Sequence, residues 1–375
     1  MPHEDTPYAE VPPRILAGRD ALAEAMAAEA VGVDARAGSP ANIVAVGLTR
    51  DPFPDGQWAV SVHVVNAATT ADLRALLAPL VGEATAQELP LVVHVTGMVR
   101  QQRASAQRVA LPDRTKKRRP YCAGISTGHI RVGGSGTLGC LAVRQTTGET
   151  VVLSNNHVIA LRTRISPTDQ PGKDDPKIGD QILQPGPGDG GVKADNSVAF
   201  LESWVPLVEA SQPEGTWALV DAAVARCAVL APKSRLVLDD QDSLIPFHGR
   251  HRSATVGLEV RKYGRTTGLT RGRVTEIGVK VRLHPPDGSA GFVAGMREQI
   301  TVAENKGPKE FISLGGDSGS LWIADTGDNL DGWPVALLCG GNDEKGPAGK
   351  CFASRIETVK RMLDIQLLTE YDPPA

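Results

Sequence analysis

The rhythm of apolar and polar positions changes near residue 120. Before it, helical and extended spacings alternate. Asp20 to Ala30 is alanine-rich with no internal proline or glycine and reads as a short helix capped by Asp20. Ile43 to Leu48 and Trp58 to Val65 are strand-like apolar runs, Ala71 to Ala78 spaces its leucines as on one helix face, and Leu91 to Val95 is rich in β-branched residues. This order predicts a small α/β domain over 14–110 behind a tail at 1–13. From Cys122 onward, short strand-like runs are separated by glycine-rich turns. Candidate strands are 125–132, 137–144, 150–154, 218–225, 258–263, 273–283, 320–324 and 335–339, and only Arg355 to Leu368 looks helical. The stretch from Arg162 to Lys193 is too rich in Pro, Gly and Asp for regular structure.

Composition adds few constraints. With 375 residues, 41% hydrophobic and 22% charged, the chain can bury a sizeable core in two or three packing units. A net charge of -3 gives no general attraction to nucleic acid or anionic lipid, so neither is an expected partner. The run Arg114 to Arg119 (RTKKRR), followed by Pro120, reads as a solvated linker over 111–121. No apolar run reaches the roughly 20 residues of a membrane-spanning helix, and Met1 to Pro13 lacks the pattern of an export signal. Five widely spaced cysteines suit reduced thiols and a cytoplasmic location, although Cys339 and Cys351 could meet on neighbouring strands. No zinc-ligand spacing is present, and neither a metal nor a cofactor is expected. Gly134, Gly136 and Gly139 match GxGxxG, but the strand-like CLAVRQTTG that follows favours a hairpin turn over a dinucleotide site.

Three segments carry nucleophilic chemistry. In GGDSGS, Gly315 to Ser320, flanking glycines let the backbone turn sharply. They expose the Ser318 hydroxyl as a nucleophile and the N–H groups of Gly316 and Ser318 as an oxyanion hole. In LSNNHVIA, an apolar strand ends at His157, and among eight histidines this one has the best setting for a general base. A carboxylate must then hold the imidazole tautomer. Asp221 in LVDAAVA is the favoured residue, and Asp195 in ADNSVAF is the alternative.

These residues in the order His, Asp, Ser resemble the trypsin-like (chymotrypsin-fold) serine protease family, with bacterial and plant Narrow-Leaf-type members the nearest in look. RRPYCAGIS, GTLGCLAV, LSNNHVIA, GDQILQPGPGDGG, VDAAVA, GRTTGLTRGRV and GGDSGS carry the resemblance over roughly residues 118–368. It implies a mostly β protein: a double β-barrel at 122–240 and 251–353 with a C-terminal helix, after the α/β domain. It also implies a serine endopeptidase acting on protein or peptide through His157, Asp221 and Ser318. Cys339, Gly340 and Gly341 are expected along the bound peptide, and Ile312, six positions before the serine, at the floor of an apolar pocket, with Glu304 or Glu310 supplying charge if that position count shifts. Val158 stands where many secreted members place a cysteine. Asp317 is expected to hold the oxyanion loop through a partner other than a new N-terminus, because a domain precedes the protease. That domain is expected to fold apart and to bind a regulatory partner. The reading from another class is a catalytically silent barrel that binds peptide or protein partners.

Overall fold

The computed structural model describes residues 8–30, 35–50, 56–102, 113–119, 122–228, 247–286, 291–303, 310–342 and 349–368. Its chain is mostly β, in two sheets, as the sequence leads one to expect. The first sheet runs in the order Ile365–Leu367, Cys140–Arg144, Thr150–Ser154, Ala223–Cys227, Ser197–Trp204, Gln181–Leu183, Ser126–His129, Gly136–Thr137. Gly136–Thr137 pairs with Ser126–Thr127 as a hairpin, and the next element is a strand, so the GxGxxG segment leads into no helix.

In the second sheet, Glu259–Gly264, Gly268–Leu283, Ala294–Ala303, Cys351–Arg355, Pro334–Gly341 and Leu321–Ala324 pair successively, and the last pairs back to the first. Six strands thus close a ring, which leaves no free edge among them. The C-terminus crosses back to the first sheet. Helix Ile356–Leu363 buries Ile356, Val359 and Leu363 in that sheet's core. The helix is shorter than expected, because Asp364 adopts φ 50° and the chain continues as a strand.

Strand Gly268–Leu283 is long enough to serve two partners on one edge. Its first half pairs with Glu259–Gly264, and its second half pairs with Ile43–Thr49, with Ala45 opposite Val281. Ala59–Val64 and then Leu91–Val95 extend the sheet, the last pair being parallel and joined through helices Thr70–Val81 and Glu83–Glu88. Helix Pro13–Ala28 begins earlier than expected, at Pro13, a residue whose fixed φ suits a first helical position. Its Ile15, Leu22 and Met26 share one apolar core with Val260, Val274 and Trp322 of the ring. The N-terminal segment and the ring are therefore continuous in both sheet and core. The basic run is likewise tied down: Arg114 donates to the carbonyls of Arg265 and Thr266 at 2.7 and 2.6 Å.

A polar knot sits on this shared sheet. Glu276, buried on the long strand, accepts from Ser61 Oγ at 2.7 Å and Thr301 Oγ1 at 2.6 Å and meets His63 Nε2 at 2.8 Å. The His94 ring stacks on His63, with centroids 5.0 Å apart. Burial, then His63, pushes His94 down to about 4. Burial would raise Glu276, but His63, Lys350 and His94 outweigh it and hold the carboxyl low. Both shifts have one sign for stability. Folding favours neutral His94, so that contribution is intact above its ordinary value of 6.5 and is lost as pH falls toward about 4. The contribution of Glu276 is intact above its ordinary 4.5 and is lost below it. Denaturant midpoints are expected to fall from pH 7.5 to pH 5, and His94→Gln should flatten that part of the decline; an unchanged slope in the variant would remove His94 as its cause.

Candidate active site

Strands Thr150–Ser154 and Ala223–Cys227 are antiparallel neighbours, with Ser154 opposite Ala223. His157 follows the end of one and Asp221 precedes the start of the other, so the pairing brings them together. Asn155 caps the approach by donating Nδ2 to the Asp221 carbonyl at 2.6 Å. His157 Nδ1 lies 2.5 Å from Asp221 Oδ2, and the His157 N–H donates to Oδ1 at 3.2 Å. Both residues are buried. Nδ1 is the ring nitrogen turned to the carboxylate, and Nε2 faces away from the pair. Nε2 is buried and has no hydrogen-bond partner among the described residues. Asp195 is exposed, in the short helix Lys193–Asn196, and the carboxylate beside His157 is that of Asp221.

Ser318 comes from the ring. Gly316 adopts φ 103°, a conformation natural to glycine, and turns its N–H to the same side as that of Ser318. Gly319 (φ 92°) crosses so close to the Thr137 carbonyl that an added Cβ would approach its oxygen to 2.2 Å. The loop is anchored from below by Asp317. Its Oδ1 accepts from the N–H groups of Thr266 and Thr267 at 2.8 and 3.1 Å, and its Oδ2 accepts from Thr267 Oγ1 at 2.6 Å and Leu314 N at 3.0 Å. Lys262 Nζ lies 3.3 Å from Oδ2, with both side chains at 0% exposure. Burial alone would raise the Asp317 carboxyl, but Lys262 and these donors hold it below its ordinary value. The expected partner of Asp317 is thus an internal lysine, which the sequence reading missed.

The two sheets meet around the loop. Thr137 N donates to the Ser318 carbonyl at 2.8 Å and Thr137 Oγ1 to the Gly316 carbonyl at 2.8 Å. Asp189 of the first sheet's unit pairs with Arg265 of the ring, Nε to Oδ2 at 2.9 Å, with both side chains buried.

The cleft is filled by the chain itself. Arg100–Gln101 forms a strand antiparallel to Gly340–Gly341, Gln101 opposite Gly340 and Arg100 opposite Gly341. The Gln102 carbonyl accepts from Gly316 N at 2.8 Å and Ser318 N at 3.2 Å. Ser318 Oγ accepts from Gln102 N at 3.0 Å and donates to the Cys339 carbonyl at 3.3 Å. Gln101 Nε2 donates to Asp221 Oδ2 at 3.2 Å. Consecutive residues thus touch the Asp–His pair and the serine. Gly340 and Gly341 lie beside this segment of the chain itself, and the Cys339 carbonyl accepts from Ser318 Oγ. Ile312, in contrast, packs in the ring's apolar core against Gly272. Glu304 lies outside the described residues, and Glu310 is exposed. Cys339 and Cys351 stand on neighbouring strands as free thiols, each Sγ directed at a carbonyl, of Phe352 and Val302 respectively. No helix among the described residues is long and apolar enough to cross a membrane.

No family model and no curated protein matches the sequence. Among solved structures, the chain is similar to Nocardiopsis protease (14% identity, TM-score 0.43, covering 66% of this chain and 97% of that one). It is also similar to a glutamic acid specific serine protease described as using a histidine triad in substrate binding (15%, TM-score 0.44, 66% and 100%) and to Thermobifida fusca protease A (15%, TM-score 0.42, 66% and 98%).

Lys262→Met leaves the Asp317 carboxylate buried without its cation, a change that costs about 3–5 kcal/mol in comparable sites. Thermal melting should drop accordingly, and Asp317→Asn combined with Lys262→Met should recover part of the loss. A single variant as stable as the parent would rule out the ion pair as the loop's anchor.

Proposed function

We propose that this chain is a serine endopeptidase of the chymotrypsin-like kind, hydrolysing peptide bonds through an acyl-enzyme. One observation carries the reading: a peptide carbonyl oxygen accepts from Gly316 N and Ser318 N at 2.8 and 3.2 Å, while the same serine's hydroxyl lies 3.0 Å from the same residue's nitrogen. Donors preset on a carbonyl stabilise the oxyanion that forms when that carbonyl is attacked.

In this reading Ser318 Oγ is the nucleophile and its proton passes to His157 Nε2, which has no other hydrogen-bond partner among the described residues. Asp221 holds the tautomer and stabilises the imidazolium. The leaving amine takes the proton from His157, and water repeats the sequence on the ester. Cys339, Gly340 and Gly341 align the substrate by strand addition, so substrates are extended segments of peptide or protein. A silent peptide-binding barrel would have no need to bury the Asp221 carboxylate against the His157 imidazole.

Ser318→Ala should abolish peptide hydrolysis with the fold intact. Asp221→Asn should slow it by about 10⁴-fold at neutral pH through the wrong tautomer, whereas Asp195→Asn should leave it near the parent rate. Steady-state kinetics on a peptide library checks all three, and turnover in Ser318→Ala at the parent rate would remove the serine from the mechanism. Ester turnover without peptide cleavage would instead mark a general esterase.

A further inference from the structure

The segment in the cleft has the geometry of a substrate. It lies antiparallel to Gly340–Gly341, its other edge is held by Gln101 N donating to the His284 carbonyl at 3.0 Å, and it ends with the Gln102 carbonyl between the N–H groups of Gly316 and Ser318. The glycines beside it are matched to this occupant. A Cβ at Gly340 would come within 2.5 Å of the Arg100 carbonyl oxygen, and one at Gly341 within 2.5 Å of Gln102 Nε2. The side chain against Gly341, where the residue before the cut would lie, is therefore a glutamine amide. A segment that only blocked the cleft would have no need to put a carbonyl on both N–H groups; a loop crossing at another register would exclude substrate equally well.

We propose that residues 100–102 are the enzyme's own first substrate: the chain cuts itself after Gln102, and the site accepts glutamine before the scissile bond. The inference rests on the serine endopeptidase reading. Ser318 Oγ turns from the Cys339 carbonyl toward His157 Nε2, gives up its proton there and bonds to the Gln102 carbonyl carbon. The C–N bond to residue 103 breaks, and the departing amine takes the proton from His157 to become a new N-terminus. One water then attacks the ester, its proton passing through His157 to Ser318 Oγ, and Gln102 is left as a C-terminal carboxylate. No oxidant or further co-reactant enters. Because the N-terminal segment shares a sheet and a core with the ring, the two pieces stay together after the cut. The event is visible only on denaturation.

The test follows freshly made full-length chain by denaturing mass spectrometry. The parent should split into a fragment ending at Gln102 and its complement, with a first-order rate unchanged over a hundred-fold dilution, while Ser318→Ala stays whole. Gly340→Val, which wedges against the segment, should cut at least tenfold more slowly, and Gly341→Ala serves as the milder wedge if that variant does not fold. Peptides with glutamine before the cut should be hydrolysed at least tenfold faster than those with leucine or arginine there. A fluorophosphonate probe separates the two possible failures. If Ser318 takes the label in the parent or a wedge variant and library peptides are hydrolysed while the chain stays whole or is cut elsewhere, self-cleavage after Gln102 is wrong and the endopeptidase stands. If no chain is cut and none is labelled, the endopeptidase reading falls with it. Splitting of Ser318→Ala at the parent rate would assign the cut to another enzyme.

Discussion

The arrangement of the site depends on one buried negative charge. Asp317 is wholly enclosed, and a carboxylate there is tolerable only because Lys262 and four donor groups surround it. Satisfying them fixes residues 314–320 in a single conformation, since Leu314 on one side and Thr266 and Thr267 on the other are drawn to the same two oxygens. The direction of the Gly316 and Ser318 N–H groups follows from that. An anchor supplied by a side chain of the same ring makes the direction of these two N–H groups a property of the fold.

The other half of the site is held by contacts between the two sheets. Thr137 reaches across with both its N–H and its hydroxyl to carbonyls of the serine loop, and Asp189 and Arg265 close the seam nearby with buried charges. Paired buried charges add little net stability, but a wrong alignment strands both of them, so they favour one relative placement of His157 and Ser318. Gln101 and Gln102 join the same two halves through side chain and backbone, which makes the occupied cleft more tightly defined than an empty one.

Much of the site was legible because the residues stand where strands stop. The strand Thr150–Ser154 and the small-apolar segment after Asp221 announce themselves by composition, and glycines on both sides of Ser318 require an unusual turn. Cys339 to Gly341 entered only through family resemblance, as did Ile312 on a pocket floor; the structure packs Ile312 among the apolar residues of the ring's core. Lys262 was invisible because burial cancels the usual meaning of a lysine between strand-like neighbours; only the oxygens around it reveal its role. Gln101 and Gln102 were missed for a similar reason: QQ after a short apolar run carries no period, and its pairing with Gly340 and Gly341 is remote in sequence. The separate N-terminal domain was a natural expectation from its βαβ pattern, but the periodicity of Gly268–Leu283 does not reveal that half of its edge belongs to Ile43–Thr49. Strands Ser197–Trp204 and Ala294–Ala303 were overlooked because polar residues interrupt their apolar runs.

That shared strand also constrains the order in which the protein is made. Ala45 emerges from the ribosome roughly 240 residues before Val281, the residue it pairs with, which at ~5–20 residues per second is a delay on the order of tens of seconds. Until then the helix at Pro13–Ala28 and the strands beneath it have half a sheet and half a core, with apolar surface exposed for longer than local folding takes. Contacts so distant in sequence are slow to close. A segment synthesised well before the ring is thus completed only with it.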